Sequence, residues 1–147
     1  LCPADYHRFH YPAAGRVVEQ WSVSGRYDSV HPIALSSGRA GLSGNVRSVA
    51  LLDLAALGRA LFIEVGAFGV ARIVHTHNGS RFDKMTERGY FSFGGSTVVL
   101  VFEPGRIILD PDLLRNSAAG LETLIRVGDR LGVAGHIASA GETEDEG

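Results

Sequence analysis

Residues 89–105 read GYFSFGGSTVVLVFEPG: a paired glycine, a Ser-Thr hydroxyl pair, an apolar β-branched run, then Glu-Pro-Gly. The run reads as a buried strand, and the Pro-Gly in "EPGRI" (103–107) as a turn separating it from a second strand. Working outward, the same pattern recurs. "GRVVEQW" (15–21), "VRSVALLDL" (46–54), "RALFIEVGA" (59–67) and "VARIVHT" (70–76) are short, rich in β-branched and apolar residues, and punctuated by glycine. Each reads as a strand bounded by turn signals, with Asn-Gly in "HNGSRFD" (77–83) marking a turn. Helical signal is thin. "DPDLLRNS" (110–117) predicts a short helix capped by Asp110 with Pro111 in its first turn. "GLETLIRVGDRLG" (120–132) is ambiguous between helix and hairpin, because two glycines interrupt the helical spacing. The expected fold is mostly β, α+β at most: a single domain closed as a sandwich or barrel, with few short helices.

The chain has 147 residues, enough for one domain with a real core and too few for two. Its 45% hydrophobic and 20% charged content is that of an ordinary globular protein. The formal charge of -2 includes four acids in the final "GETEDEG", so the body is slightly basic and nothing points to a nucleic-acid partner. Residues 141–147 read as a solvated acidic tail, leaving 1–140 as the domain. One cysteine, Cys2, excludes an internal disulfide and thiolate metal sites. No apolar run reaches the length of a membrane span, and no signal segment is visible. The first residue is Leu, which points to an N-terminal part ahead of it.

On pattern alone, Gly94-Gly95-Ser96-Thr97 is most simply a β-bulge or tight turn before a strand. A chemical reading competes with it. A serine hydroxyl can attack the carbonyl of the preceding residue and turn the amide into an ester, if a base takes its proton. Glycine before the serine leaves that carbonyl sterically open and tolerates the backbone geometry needed. "PADYHRFHYP" (3–12) offers the base in His7 or His10. Two histidines three apart are also compatible with surface positions, or with half of a zinc site completed by His75 and His77. Spacing does not choose between these.

Taken together, "DYHRFH" and, about ninety residues on, "GYFSFGGSTVVLVFEPGRI" resemble the phosphatidylserine decarboxylase family. The intervening "GRVVEQW", "SVHPIAL", "NVRSVALLD" and "FIEVGA" and the trailing "DLLRNSAAGLETLIRVGDRLG" agree, so the resemblance covers roughly residues 1–132. It implies a fold related to lipoyl- and biotin-carrier domains and a self-processing precursor. His10 looks like the histidine of the family's Asp-His-Ser processing triad, with Ser96 as nucleophile and scission between Gly95 and Ser96. The products would be a β chain, 1–95, and an α chain from 96, which remain associated. Ser96 would become a pyruvoyl group, the enzyme's covalent cofactor, and no metal is expected. A keto group conjugated to an amide can condense with the amine of a serine head group and take up the electron pair as carbon dioxide leaves. His7 resembles the histidine near the step that reprotonates the product, and the sequence does not decide whether His7 or His10 delivers that proton. The implied substrate is phosphatidylserine and the implied product phosphatidylethanolamine. The setting would be a membrane surface: mitochondrial inner or endomembrane in a eukaryote, cytoplasmic in a bacterium. A homodimer is left open.

The family's triad aspartate lies upstream of "DYHRFH"; Asp5 is too close in sequence to be equated with it. Met85 stands where relatives tend to have glycine, which predicts a different hairpin, and Phe68 and Arg72 depart from the pattern after "VGA". His31 falls at a position commonly Asn and is given no catalytic role. Two rivals remain. A lipoyl- or biotin-carrier-like module would need a modifiable lysine at a hairpin tip, where Lys84 is the only candidate. A zinc-dependent hydrolase would use His7, His10, His75 and His77.

Overall fold

A computed structural model describes residues 1–2, 4–36, 41–67, 72–92 and 95–135. It is mostly β, and among the described residues the paired strands are antiparallel. The chain divides into two compact units, Leu1–Phe102 and Glu103–Gly147.

In the first unit, β3 (Arg47–Leu54) and β4 (Gly58–Gly66) form a hairpin whose register explains the core. Side chains alternate across a strand, so Ser48, Ala50, Leu52 and Leu54 share one face. Across from them stand Glu64, Phe62, Ala60 and Gly58. Gly58, at φ 67°, takes the left-handed conformation that closes the hairpin. β2 (Gly15–Val23) joins β3, with a register shift between Val17 and Glu19, and β6 (Arg81–Phe82) pairs with the start of β2. β8 (Ser96–Phe102) joins β4 on the other side, giving the order β6-β2-β3-β4-β8.

β1 (Arg8–His10), β5 (Arg72–His75) and β7 (Glu87–Ser92) form a second sheet, ordered β1-β7-β5. The two sheets meet through aromatic rings, Phe62 lying 6.0 Å from Phe9 and 6.3 Å from Tyr11, while within the second sheet Phe9 lies 5.0 Å from Phe91. Tilted pairs at these separations suit the ring quadrupoles as well as burying area. Two short helices, α1 (Pro32–Ser36) and α2 (Gly41–Gly44), lie in the β2–β3 connection.

Met85 sits in the turn between β6 and β7 at φ 68°, the left-handed region that glycine occupies without strain. The turn keeps a glycine-type backbone with a methionine in it. Lys84 precedes it, and because β6 and β7 belong to different sheets this turn is not a hairpin tip.

The second unit holds β9 (Ile107–Leu109), α3 (Pro111–Ala118) and β10 (Gly132–Ala134), with β9 and β10 paired. The turn at 103–106 forms as expected, with Gly105 at φ 76°. Asp110 stands at the helix N-cap with extended backbone, but its side chain makes no cap bond; it accepts instead from Arg130 Nε at 3.0 Å. The ambiguous stretch 120–132 forms neither helix nor hairpin. It is irregular, with a turn at 127–128 where Gly128 has φ 96°, until Gly132 enters β10. The expected acidic tail, and Phe68, Phe93 and Gly94, lie outside the described residues.

Candidate active site

Ser96 is the first residue of β8 and pairs with Gly66 at the end of β4. It is fully buried, and its parity with Val98, Leu100 and Phe102 turns its side chain to the inner face. There its Oγ lies 3.1 Å from His7 Nδ1. The Ser96 carbonyl accepts from the nitrogen of Leu1 at 2.9 Å. His7 is fixed by its backbone, since Phe91 N donates to the His7 carbonyl at 3.0 Å and so ties it to β7.

His10 goes elsewhere. Along 7–11 the chain is extended, so His7, buried Phe9 and buried Tyr11 face inward while Arg8 and His10 face outward. The His10 ring stacks on Tyr6, 6.0 Å between centroids and 13° from parallel. A three-residue spacing would bring two histidines to one side of a helix; on a strand it separates them. Of the sequence-predicted residues, the fold therefore joins Ser96 and His7 and leaves His10 on the far face.

The outer face carries its own charge cluster. Arg8 Nη1 donates to both Glu87 carboxylate oxygens at 2.8 and 2.9 Å, and Thr76 Oγ1 donates to one of them at 2.9 Å. The Thr76 hydrogen bond foremost, then Arg8, holds the Glu87 carboxyl below the ordinary glutamate range. Because the folded value is depressed, these contacts contribute stability above the ordinary range, and that contribution fades as pH falls through the folded value. A carboxyl-carbon NMR titration is expected to show the low midpoint, and Thr76→Val is expected to raise it. An unchanged midpoint in the variant would remove the hydroxyl as the cause.

Gly95 is half-buried, with room beside its Cα for a side-chain carbon. A Cβ built there would meet Ala67 Cβ and Val30 Cγ2 at 3.7 Å, ordinary contact distances. Packing does not demand a glycine at this position.

The other histidines are occupied separately. His77 Nε2 donates to the Arg81 carbonyl at 3.0 Å. His75 Nδ1 lies 3.2 Å from Gln20 Nε2. Gln20 Oε1 already accepts from Arg88 at 3.0 Å, so the Gln20 amide donates to His75 Nδ1, which leaves the His75 proton on Nε2, facing Glu64 Oε1 at 3.5 Å. Among the described residues no three His, Cys, Asp or Glu side chains come close enough to share a metal ion. His75, His77, Gln20 and Arg88 line a pocket of about 410 Å³ that includes neither Ser96 nor His7.

Among the described residues four buried polar side chains, Asn45, Ser48, Glu64 and Arg88, escaped the sequence reading. Glu64, 0% exposed, accepts from Arg88 Nε at 2.5 Å, and Arg88 also donates to the Tyr11 hydroxyl at 2.9 Å. Asn45, also 0% exposed, sits before β3. The Glu64 signal was legible: in "RALFIEVGA" the glutamate falls in phase with Ala60 and Phe62, so a buried strand places it inside. Asn45, between Gly44 and Val46, carried no such signal.

A family profile described as Phosphatidylserine decarboxylase matches residues 1–133. The chain is 44% identical over 133 residues to the phosphatidylserine decarboxylase proenzyme of Chlamydia muridarum (strain MoPn / Nigg), covering 90% of this chain and 44% of that one. It is 41% identical to the proenzyme of that name from Clostridium tetani (strain Massachusetts / E88), covering 90% and 45%. For that of Ruminiclostridium cellulolyticum (strain ATCC 35319 / DSM 5812 / JCM 6584 / H10) the figures are 39%, 90% and 44%. The chain thus spans less than half the length of these curated relatives. No solved structure matches it.

Proposed function

The chain belongs to the phosphatidylserine decarboxylase family, and we propose that it is the part of a precursor that breaks its own backbone between Gly95 and Ser96. The resulting pyruvoyl enzyme, a carboxy-lyase, would convert phosphatidylserine to phosphatidylethanolamine and carbon dioxide. The observation that carries this reading is the 3.1 Å contact between Ser96 Oγ and His7 Nδ1 beside the Gly95 peptide.

A neutral imidazole, with a pKa ordinarily about 6.5, can accept the hydroxyl proton at physiological pH. For that, His7 must carry its own proton on Nε2 and leave the Nδ1 lone pair toward Ser96. Ser96 Oγ then attacks the Gly95 carbonyl carbon and the Gly95–Ser96 C–N bond breaks, giving an ester and a free amine on residue 96. Loss of the residue 96 α-proton expels Gly95 as a carboxylate and leaves dehydroalanine. Tautomerisation and addition of one water release ammonia, and the former Ser96 ends as a ketone. The ketone supplies the electron sink that decarboxylation needs.

The fit of that group rests on the chain's own atoms. It is made from a buried residue facing an imidazole, and β8 pairs with β4 from Ser96 to Phe102. The same ladder would keep the two fragments together after scission. His7 Nδ1, having taken a proton from Ser96, stays beside the new ketone as a group able to return one to the product. Family resemblance gives scission to His10 and leaves reprotonation between His7 and His10; the contact at Ser96 supports His7 in both. Substrate carried in a bilayer makes a membrane surface the place of action. Among the described residues no helix is long and apolar enough to cross one.

Intact mass of the full-length protein under denaturing conditions is expected to show two fragments meeting at Gly95 and Ser96. The second should lack a free amino end, and borohydride should add two hydrogens to it and stop turnover. An active preparation whose Ser96 is intact would overturn the reading.

A further inference from the structure

We infer that Asn45 is a positioning residue for the scission of the Gly95–Ser96 bond, holding both walls of that peptide with one carboxamide. The inference rests on the self-cleavage reading above and extends it to a residue that reading leaves aside. Asn45 Nδ2 donates to the Asp28 carbonyl at 2.8 Å and to the Gly66 carbonyl at 2.9 Å, while its Oδ1 accepts from Asp28 N at 2.9 Å. Both amide hydrogens are used, and the carboxamide meets Asp28 as a neighbouring strand would, donating to its C=O and accepting from its N–H.

The two anchored points flank the reacting peptide. Gly66 pairs with Ser96, and its neighbour Ala67 supplies one wall at Gly95. Asp28 lies two residues before Val30, whose Cγ2 supplies the other at the same 3.7 Å. Backbone bonds support the arrangement: Arg26 N donates to the Gly44 carbonyl, Val46 N to that of Arg26, and Gly66 N to that of Val46, each at 2.9 Å. Gly25 permits this approach, since a Cβ there would lie 2.5 Å from the Asn45 carbonyl carbon. Attack by Oγ on the adjacent carbonyl depends on how the Gly95 peptide is oriented, and misplacement of about 1 Å can lower a rate by ~10²-fold.

The test uses the full-length precursor and follows scission by intact mass at a temperature well below the unfolding midpoints. Asn45→Asp keeps the size and the acceptor and turns the donor toward two carbonyls into an oxygen. It is expected to slow scission by about 10–100-fold while leaving the pH midpoint of the rate unchanged, because the base is untouched. Leu52→Val, a core change on β3 remote from Ser96 in register, controls for general loosening and is expected to cleave at near the wild-type rate. Val30→Ala removes one wall without touching the carboxamide, and is expected to slow scission roughly fivefold or more even where Asn45→Asp does not fold. Wild-type rates in Val30→Ala, or slowing in Asn45→Asp no greater than in Leu52→Val, would overturn the assignment. A wild-type precursor that never splits would instead defeat the scission reading itself.

Discussion

Ser96→Ala should leave the precursor in one piece, and His7→Ala should slow scission by about 10²–10⁴-fold, the usual worth of a positioned general base. The first follows because no other atom of residue 96 can attack the Gly95 carbonyl. The second follows from geometry: His7 Nδ1 is 3.1 Å from Ser96 Oγ, whereas His10 faces outward against Tyr6. His10→Ala is accordingly expected to cleave within about threefold of wild type, with little change in stability, since it gives up one exposed stacking contact. Neither Ser96→Ala nor His7→Ala empties a hydrophobic site, so both should fold, and circular dichroism can confirm that they do. Turnover per titrated ketone separates the later step, where His7→Ala should again be slow. A scission defect confined to His10→Ala would return processing to His10, as the resemblance has it, and leave His7 with the proton that completes decarboxylation.

Why the two histidines part is a question of periodicity. The strands at 15–23, 47–54, 58–66 and 96–102 were legible because each is an apolar, β-branched segment bounded by turn residues. "DYHRFH" has no such signature. Its extended state is imposed by pairing with β7, so the separation of His7 from His10 depends on a partner about eighty residues away. The α3 start was legible for a local reason, Pro111 after Asp110, but the side-chain cap was not, because Arg130 takes the Asp110 carboxylate. The stretch 120–132 has local preferences that conflict, and the glycine at 128 resolves them as a turn. Ser96 is singled out in the sequence by family motifs alone, whereas Asp28, Asn45 and Gly66 lie apart in sequence and meet only in the fold.

Arg88→Met is expected to destabilise the protein by about 3–5 kcal/mol, the usual consequence of stranding one member of a buried ion pair. Glu64 is 0% exposed and Arg88 1%, so the variant leaves a carboxylate in a buried setting without its charged partner. The Tyr11 hydroxyl and the Gln20 carbonyl would lose a donor as well. Glu64 Oε2 already has no hydrogen-bond partner among the described residues, which makes the carboxylate especially dependent on Arg88. For a domain of ordinary stability this is a large share of the total, and thermal unfolding should fall by roughly 10–25 °C. The pair itself is not expected to be worth that much. Replacing both members, Glu64→Leu with Arg88→Met, removes two desolvated charges together and should bring stability back to within about 2 kcal/mol of wild type. The flanking rings favour that outcome, since the Arg88 guanidinium lies 5.4 Å from the Phe62 ring centre and 5.5 Å from that of Tyr11, an environment a methionine can fill. Urea unfolding of the two single variants and the double variant measures the cycle. A loss below about 1 kcal/mol in Arg88→Met would mean that the carboxylate finds another partner or reaches solvent, and that the pair is not the tie between the sheets that its burial indicates.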